Sequence, residues 1–260
     1  MADTVNDYFS KTIEKGLLVL RLFDQSHTRR SLTEISRTLG VNKTSVFRYI
    51  NTLTQLGYLK KVSSTKILKL GPNALSLGYQ FLQGFELLQT VKPLIDQTYK
   101  EHNITIDSVL LDGDSLIALY RRESKGTINF RQPLVSRSLY ARATGKAVLA
   151  YMARDDFSQF MANTDLIAKT KNTIVEMEDL IAELELTRKR GYSLANEEYL
   201  PGVSAIGAPL IHFNKKSIVG AVSFDFPAIE NPIDLIVEKY TNPVKKLAMD
   251  LSEMITVADD

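Results

Sequence analysis

The stretch "SLTEISRTLGVNKTSVFRYINTLTQLG", residues 31–57, leaves the backbone few choices. Ser31 and Glu34 stand three apart, the spacing at which a hydroxyl and a carboxylate each satisfy an orphan amide at a helix start. Leu32, Ile35 and Leu39 then repeat on one helical face, and Gly40 suits the left-handed residue that ends a helix. Asn42 caps a following helix whose apolar positions are Val46, Tyr49, Ile50 and Leu53, running to about Gln55 with Gly57 just beyond. Two short helices joined across "LGV" form a helix-turn-helix.

The flanking segments extend this unit. In "TIEKGLLVLRLFDQ" the apolar residues Ile13, Leu17, Leu20 and Phe23 repeat at helical spacing. Beyond Gly57, "GYLKKVSSTKILKLG" gives two strand-like runs around Ser63, Ser64 and Thr65, a hairpin rich in lysine. Three helices and a basic hairpin make a winged helix-turn-helix. Residues 1–78 hold 12 Lys and Arg against 5 Asp and Glu, a net +7, whereas the rest holds 20 against 25, a net −5. A basic module on an acidic body meets a polyanion at one end.

The second helix of the motif carries a polar front on an apolar back. Its inward residues pack on the domain, while Lys43, Thr44, Ser45, Phe47 and Arg48 face outward. Base edges in the major groove are read from the N-terminal half of such a helix. Arg48 is the candidate for guanine, Thr44 and Ser45 for phosphate at the open amides, and the wing lysines Lys60, Lys61 and Lys66 for the DNA backbone.

The remainder is organised differently. "PNALSLGYQFLQGF", with Leu75, Tyr79 and Leu82 on one face, is a connecting helix, and "ELLQTVKPLIDQTYKEHN" is a second one. "SVLLDGDSLIALYRRES" is a hairpin about an Asp-Gly turn, "GKAVLAYMA" a helix, and "EMEDLIAELELTRKRG" a helix closed by Gly191. "AIGAPLIHF" and "SIVGAVSFDF" are paired strands, and the tail is two helical pieces broken or kinked at Pro243. Helices and strands interleave without βαβ periodicity, so the fold class expected is an α+β domain with helices on an antiparallel sheet. The expected domains are 1–72, a linker helix over 73–86, and 87–260.

Several chemistries are excluded or disfavoured. There is no cysteine, and His27, His102 and His212 are far apart with no metal-ligand spacing. No cofactor is expected. "RATGKAV" lacks the phosphate-loop spacing. Glu197 and Glu198 are adjacent on an extended segment, so they point to opposite sides and do not work as a catalytic pair. No apolar run approaches the about 18 residues of a membrane span, and the N-terminus is no signal peptide, which points to a cytoplasmic protein.

Three segments, in order and spacing, resemble the IclR family of bacterial transcriptional regulators: "SLTEISRTLGVNKTSVFRYINTLTQLGYL", "RSLYARATGKAVLAYM" and "TRKRGYSLANEEYLPGVSAIGAPLI". The resemblance implies a winged-helix domain joined by a linker helix to a GAF-like effector domain. It implies a homodimer or tetramer on a palindromic operator, and an organic or aromatic acid as effector. It places the effector against Ala143, Thr144 and Gly145, the strand carrying Ser223 and Asp225, the loop around Ala195, and Ala205. Asn129 and Arg131, on the preceding strand, match positions that face the same cavity. Open amides at the start of a helix at Gly145 favour a carboxylate. This chain differs from the common family pattern at Arg142, at Ala195 followed by Asn196, and at Asp225. Either Arg142 or Arg131 adds a carboxylate clamp and Asp225 meets a donor on the ligand, or Arg142 is a surface charge and Asp225 caps a strand turn. Two other functions fit less of the sequence: a metabolite sensor or enzyme whose helix-turn-helix contacts protein, and a ligand-insensitive DNA architectural protein.

Overall fold

The structure is a computed structural model that describes residues 8–24, 27–62, 65–84, 86–125 and 135–258. It divides into two compact units, Met1–Phe85 and Glu86–Asp260.

In the first unit, α1 (Lys11–Arg21), α2 (Leu32–Leu39) and α3 (Lys43–Gln55) enclose a core of Val19, Phe23, Ile35, Val46, Ile50, Leu59 and Leu68. The capping box forms: the Ser31 amide donates to the Glu34 carboxylate at 2.6 Å, and the Glu34 amide donates to the Ser31 hydroxyl. Gly40 ends α2 at φ 62°. Asn42 caps α3 by accepting from the Ser45 amide at 2.8 Å.

Strands β2 (Leu59–Lys61) and β3 (Ile67–Leu70) make the wing, and a short β1 (Arg30–Ser31) adds to it in the order β1-β3-β2. The third strand is absent from the sequence reading because two residues carry no periodicity. The packed face of α1 also differs from expectation. Val19 is fully buried while Ile13 and Leu17 are exposed, because only the C-terminal half of the helix meets α2 and α3.

Helix α4 (Pro72–Gly84) starts at the wing base, where the Asn73 side chain donates to the Leu56 carbonyl at 2.8 Å. Leu75 and Tyr79 of its apolar face are exposed within this unit.

The second unit begins with α5 (Glu86–His102) and is built on a six-stranded antiparallel sheet in the order β6-β5-β4-β9-β8-β7. The strands are β4 (Thr105–Asp112), β5 (Ser115–Arg122), β6 (Val135–Ser136), β7 (Ser193–Asn196), β8 (Val203–His212) and β9 (Ser217–Pro227). One face carries a 3-10 turn (Leu139–Ala141), α6 (Ala143–Tyr151), α7 (Arg154–Ala162) and α8 (Met177–Arg190), over a core that includes Leu139, Leu149, Leu180 and Leu184. On the other face Phe224 and Phe226 meet Tyr240 of α9 (Ile233–Ala258). Period-2 alternation along β9 thus sends Ser223 and Asp225 to the α6 side and the two phenylalanines to the α9 side.

The expected break at Pro243 does not occur. Helix α9 is continuous over 26 residues, because Val244, Leu247, Ala248 and Leu251 bury an uninterrupted face beyond the proline. Packing of that face outweighs the one hydrogen bond the proline removes.

Candidate functional site

In the first unit, Lys43, Thr44, Phe47 and Arg48 are exposed on α3, Ser45 is half-buried, and Val46 and Ile50 are buried behind them. Lys60, Lys61 and Lys66 are exposed on the wing. Phe47 is 54% exposed, an apolar ring standing among basic and hydroxyl side chains. Of the sequence candidates on α3 and the wing, all but half-buried Ser45 are exposed.

In the second unit the sheet gathers residues distant in sequence into rows. Arg121, Asp107, Ser223, Gly207 and Ser193 are successive cross-strand partners. The neighbouring row holds Thr105, Asp225, Ala205 and Ala195. Helix α6 lies over the second half of these rows. The Ser193 hydroxyl donates to the Ala143 carbonyl at 2.6 Å, and a Cβ at Gly207 would press on the Ala143 backbone. A Cβ at Gly145 would overlap the backbone of Leu139, so only glycine lets the 3-10 turn fold back on the helix start.

Between the start of α6, the sheet and the 197–203 connection lies a cavity of about 30 Å³. Seven of the sequence candidates line it: Arg142, Ala143, Thr144, Ala195, Ala205, Ser223 and Asp225. Gly145 is buried one residue deeper in α6 and does not line it. Asn129 and Arg131 lie outside the described residues. Two expectations about the walls are corrected. The helix begins at Ala143, not Gly145, with Arg142 as its cap residue and no side chain closing that end. Ala195 sits in strand β7, not in a loop, because the Leu194 and Ala195 backbones pair with Ile206 and Ala205.

The charged groups in and beside the cavity form a cluster. Arg121 reaches Asp225 at 3.1 Å and Asp107 at 3.6 Å. The Ser223 hydroxyl donates to the other Asp225 oxygen at 2.8 Å. Arg142 lies 4.0 Å from Asp107 and stacks 4.5 Å over the Tyr199 ring. Arg142 is 7% exposed and Asp225 lies inside β9, so neither is a surface charge or a turn cap. Burial pulls the Arg121 guanidinium down, but the charges of Asp225 and Asp107 outweigh it and hold the group above its ordinary range.

Sequence reasoning missed Asp107, Arg121, Tyr199, Leu200 and Val203. An acid inside the apolar run "TIDSVLL" was a readable signal for Asp107. Nothing comparable marked Arg121, which enters the cluster through strand register.

The connection that carries Tyr199 is tied down from below. Lys146 on α6 is 1% exposed and donates to both oxygens of Glu198, at 2.8 and 2.9 Å. Glu183 stands 3.6 Å from the same ammonium. The Thr173 hydroxyl donates to the Glu198 carbonyl at 2.6 Å. Glu197, at φ 55°, accepts from the Gly202 amide at 2.7 Å. The adjacent carboxylates thus turn to different partners and brace the loop. Burial pushes the Glu198 carboxyl up, against the lowering effect of Lys146. Among the described residues no group of acids and histidines is arranged to hold a metal ion, and no helix is long and apolar enough to cross a membrane.

Comparison with known proteins bears on both units. The chain is 27% identical over 256 residues to the HTH-type transcriptional regulator KipR of Bacillus subtilis, covering 95% of this chain and 97% of that protein. The fold matches a solved IclR transcriptional regulator from a Silicibacter species at TM-score 0.81 and 22% identity, over 94% of this chain and 96% of that one. It also matches an IclR homolog from Microbacterium hydrocarbonoxydans solved with 4-hydroxybenzoate, at TM-score 0.77 and 16% identity, over 95% and 99% of the two chains. The family model of the IclR helix-turn-helix domain matches residues 12–63, and that of the bacterial transcriptional regulator IclR C-terminal domain matches residues 79–253. The two matches together span most of the chain, and the chain belongs to the IclR family of bacterial transcriptional regulators.

Proposed function

We propose that this protein is a one-component regulator. Residues 1–72 bind a palindromic operator, the helix over 73–86 links the domains, and residues 87–260 bind a small carboxylate effector. It acts as a homodimer or tetramer in the cytoplasm, without a cofactor and without catalysing a reaction. The observation that carries this reading is the exposure pattern of α3. Lys43, Thr44, Phe47 and Arg48 are bare while Val46 and Ile50 are buried, and exposed wing lysines stand on the following hairpin. Arg48 reads a base and the lysines hold phosphates.

The effector half is supported by the cavity at the uncapped start of α6, where Arg142 and the first helical amides favour an anion. The relative that holds 4-hydroxybenzoate supports the same ligand class. The effector acts by its different affinities for two arrangements of the DNA-binding domains.

The test is fluorescence anisotropy of the protein on its own promoter DNA, across salt and across a panel of small acids. Affinity is expected to fall steeply with salt, Arg48→Ala to lose discrimination between promoter and random DNA, and one acid to shift the binding curve. An affinity flat from low to high salt would overturn the DNA half. A curve that no acid moves would overturn the effector half.

A further inference from the structure

The outward face of α3 carries one residue that cannot do what its neighbours do. Lys43, Thr44, Arg48 and Asn51 are exposed there and offer charge or hydrogen bonds. Phe47 stands among them, with Lys43 one turn before it and Asn51 one turn after. Its ring has no polar atom to offer.

The core behind α3 does not use this ring. Val46 and Ile50 fill that core and Tyr49 and Leu53 pack on it, whereas Phe47 is 54% exposed and belongs to neither group. Other exposed apolar residues of the same unit come in pairs at helical spacing, Ile13 with Leu17 on α1 and Leu75 with Tyr79 on α4. Phe47 is instead bracketed by polar side chains.

Charge and chemistry together say what covers it. Lys43 and Arg48 beside the ring call for an anionic surface, and the ring calls for an apolar spot within that surface. In the major groove guanine, cytosine and adenine present donors and acceptors, and thymine adds a methyl group. A ring pressed on a polar base edge strips water from it and returns no hydrogen bond, which is unfavourable. The same ring on a methyl group buries apolar surface from both sides. Phe47 is the fifth residue of the thirteen-residue α3, within the N-terminal half from which base edges are read.

Resting on the operator-binding reading above, we propose that Phe47 sets sequence specificity by reading the methyl group of a thymine in each half-site of the operator. The ring rewards thymine and excludes the other bases from that position. The contact is apolar, so the preference it confers persists as salt rises, unlike the phosphate contacts of the wing lysines.

The experiment uses the full chain to select duplexes from a randomised DNA library. Each thymine of the selected site is then replaced in turn by deoxyuridine, which removes the methyl group and keeps the base pairing. Fluorescence anisotropy gives affinities for the wild type, Phe47→Ala and Phe47→Leu. The expected result is one thymine per half-site whose replacement weakens wild-type binding about fourfold, the worth of one buried methyl, at low and moderate salt alike. Phe47→Ala binds the thymine and deoxyuridine duplexes equally, and Phe47→Leu keeps part of the preference. An unchanged thermal midpoint shows that Phe47→Ala is folded, and the wild-type comparison stands without it. If no replacement weakens wild-type binding, or if the loss is undiminished in Phe47→Ala, the thymine reading is overturned while operator binding survives. If the library yields no selected site, operator binding falls and this inference with it.

Discussion

Asp107 and Arg121 are direct cross-strand partners on β4 and β5, although their hairpin turn alone would not pair them. Counting back from the turn at Gly113 and Asp114, Asp112 faces Ser115 and Val109 faces Ala118. A bulge then leaves Leu119 without a partner, so Ser108 meets Tyr120 and Asp107 meets Arg121. Without the bulge Asp107 would face Tyr120, and Arg121 would sit on the opposite face of the sheet.

Removing the arginine takes from Asp107 and Asp225 the cation that they share in a buried site. Arg121→Met is expected to destabilise the C-terminal domain by about 3 kcal/mol, the cost of breaking a buried pair from one side. Asp107→Asn in the same background recovers part of that loss. Urea unfolding followed by circular dichroism measures both, and additive losses in the double variant would count against the pairing.

Lys146 and Glu198 make the second buried pair. Lys146→Met is expected to cost about 3 kcal/mol for the same reason. The pH dependence has a definite sign. Because the folded Glu198 carboxyl is held above its ordinary value of 4.5, the native state binds the proton more tightly than the unfolded chain. Its contribution favours folding at low pH and is lost as pH rises from near that value through the raised folded one. Stability of the wild type relative to Glu198→Gln is therefore expected to decline over that window, read from unfolding midpoints at a series of pH values.

Gly145→Ala tests the close approach of the 3-10 turn to α6. The added methyl meets Leu139 backbone, which a side-chain rotation cannot relieve. A loss of about 3 kcal/mol, the upper end for overpacking, is expected. Gly78→Ala in the middle of α4, where no described atom lies within 4 Å of the added carbon, is the contrasting control and is expected to stabilise by up to about 1 kcal/mol.

The wing makes a quantitative prediction on DNA. Lys60→Ala and Lys61→Ala are each expected to weaken binding to specific and random DNA alike. Each should reduce the slope of log affinity against log salt by about 0.9 if it holds one phosphate. Unchanged slopes would remove these lysines from the interface.

Much of the first unit was written locally. The capping box, Gly40, Asn42 and the apolar spacing each act within a few residues, so the helix-turn-helix follows from sequence alone. The exposed face of α3 follows too, because a solvated helix front is defined by what its back must bury. In the second unit the hairpins and the α8 terminus at Gly191 were legible for the same reason. Tertiary structure decided the rest. Helix α9 runs through Pro243 because its buried face continues past the proline. The arc of α1 that packs is set by which half of it meets α2 and α3. Residues as distant in sequence as Asp107, Tyr199 and Asp225 share one cavity because sheet order and a single bulge bring them together. Helical periodicity and caps are short-range and survive in a string of letters, whereas strand register and the company a buried charge keeps are long-range and exist only once the sheet has closed.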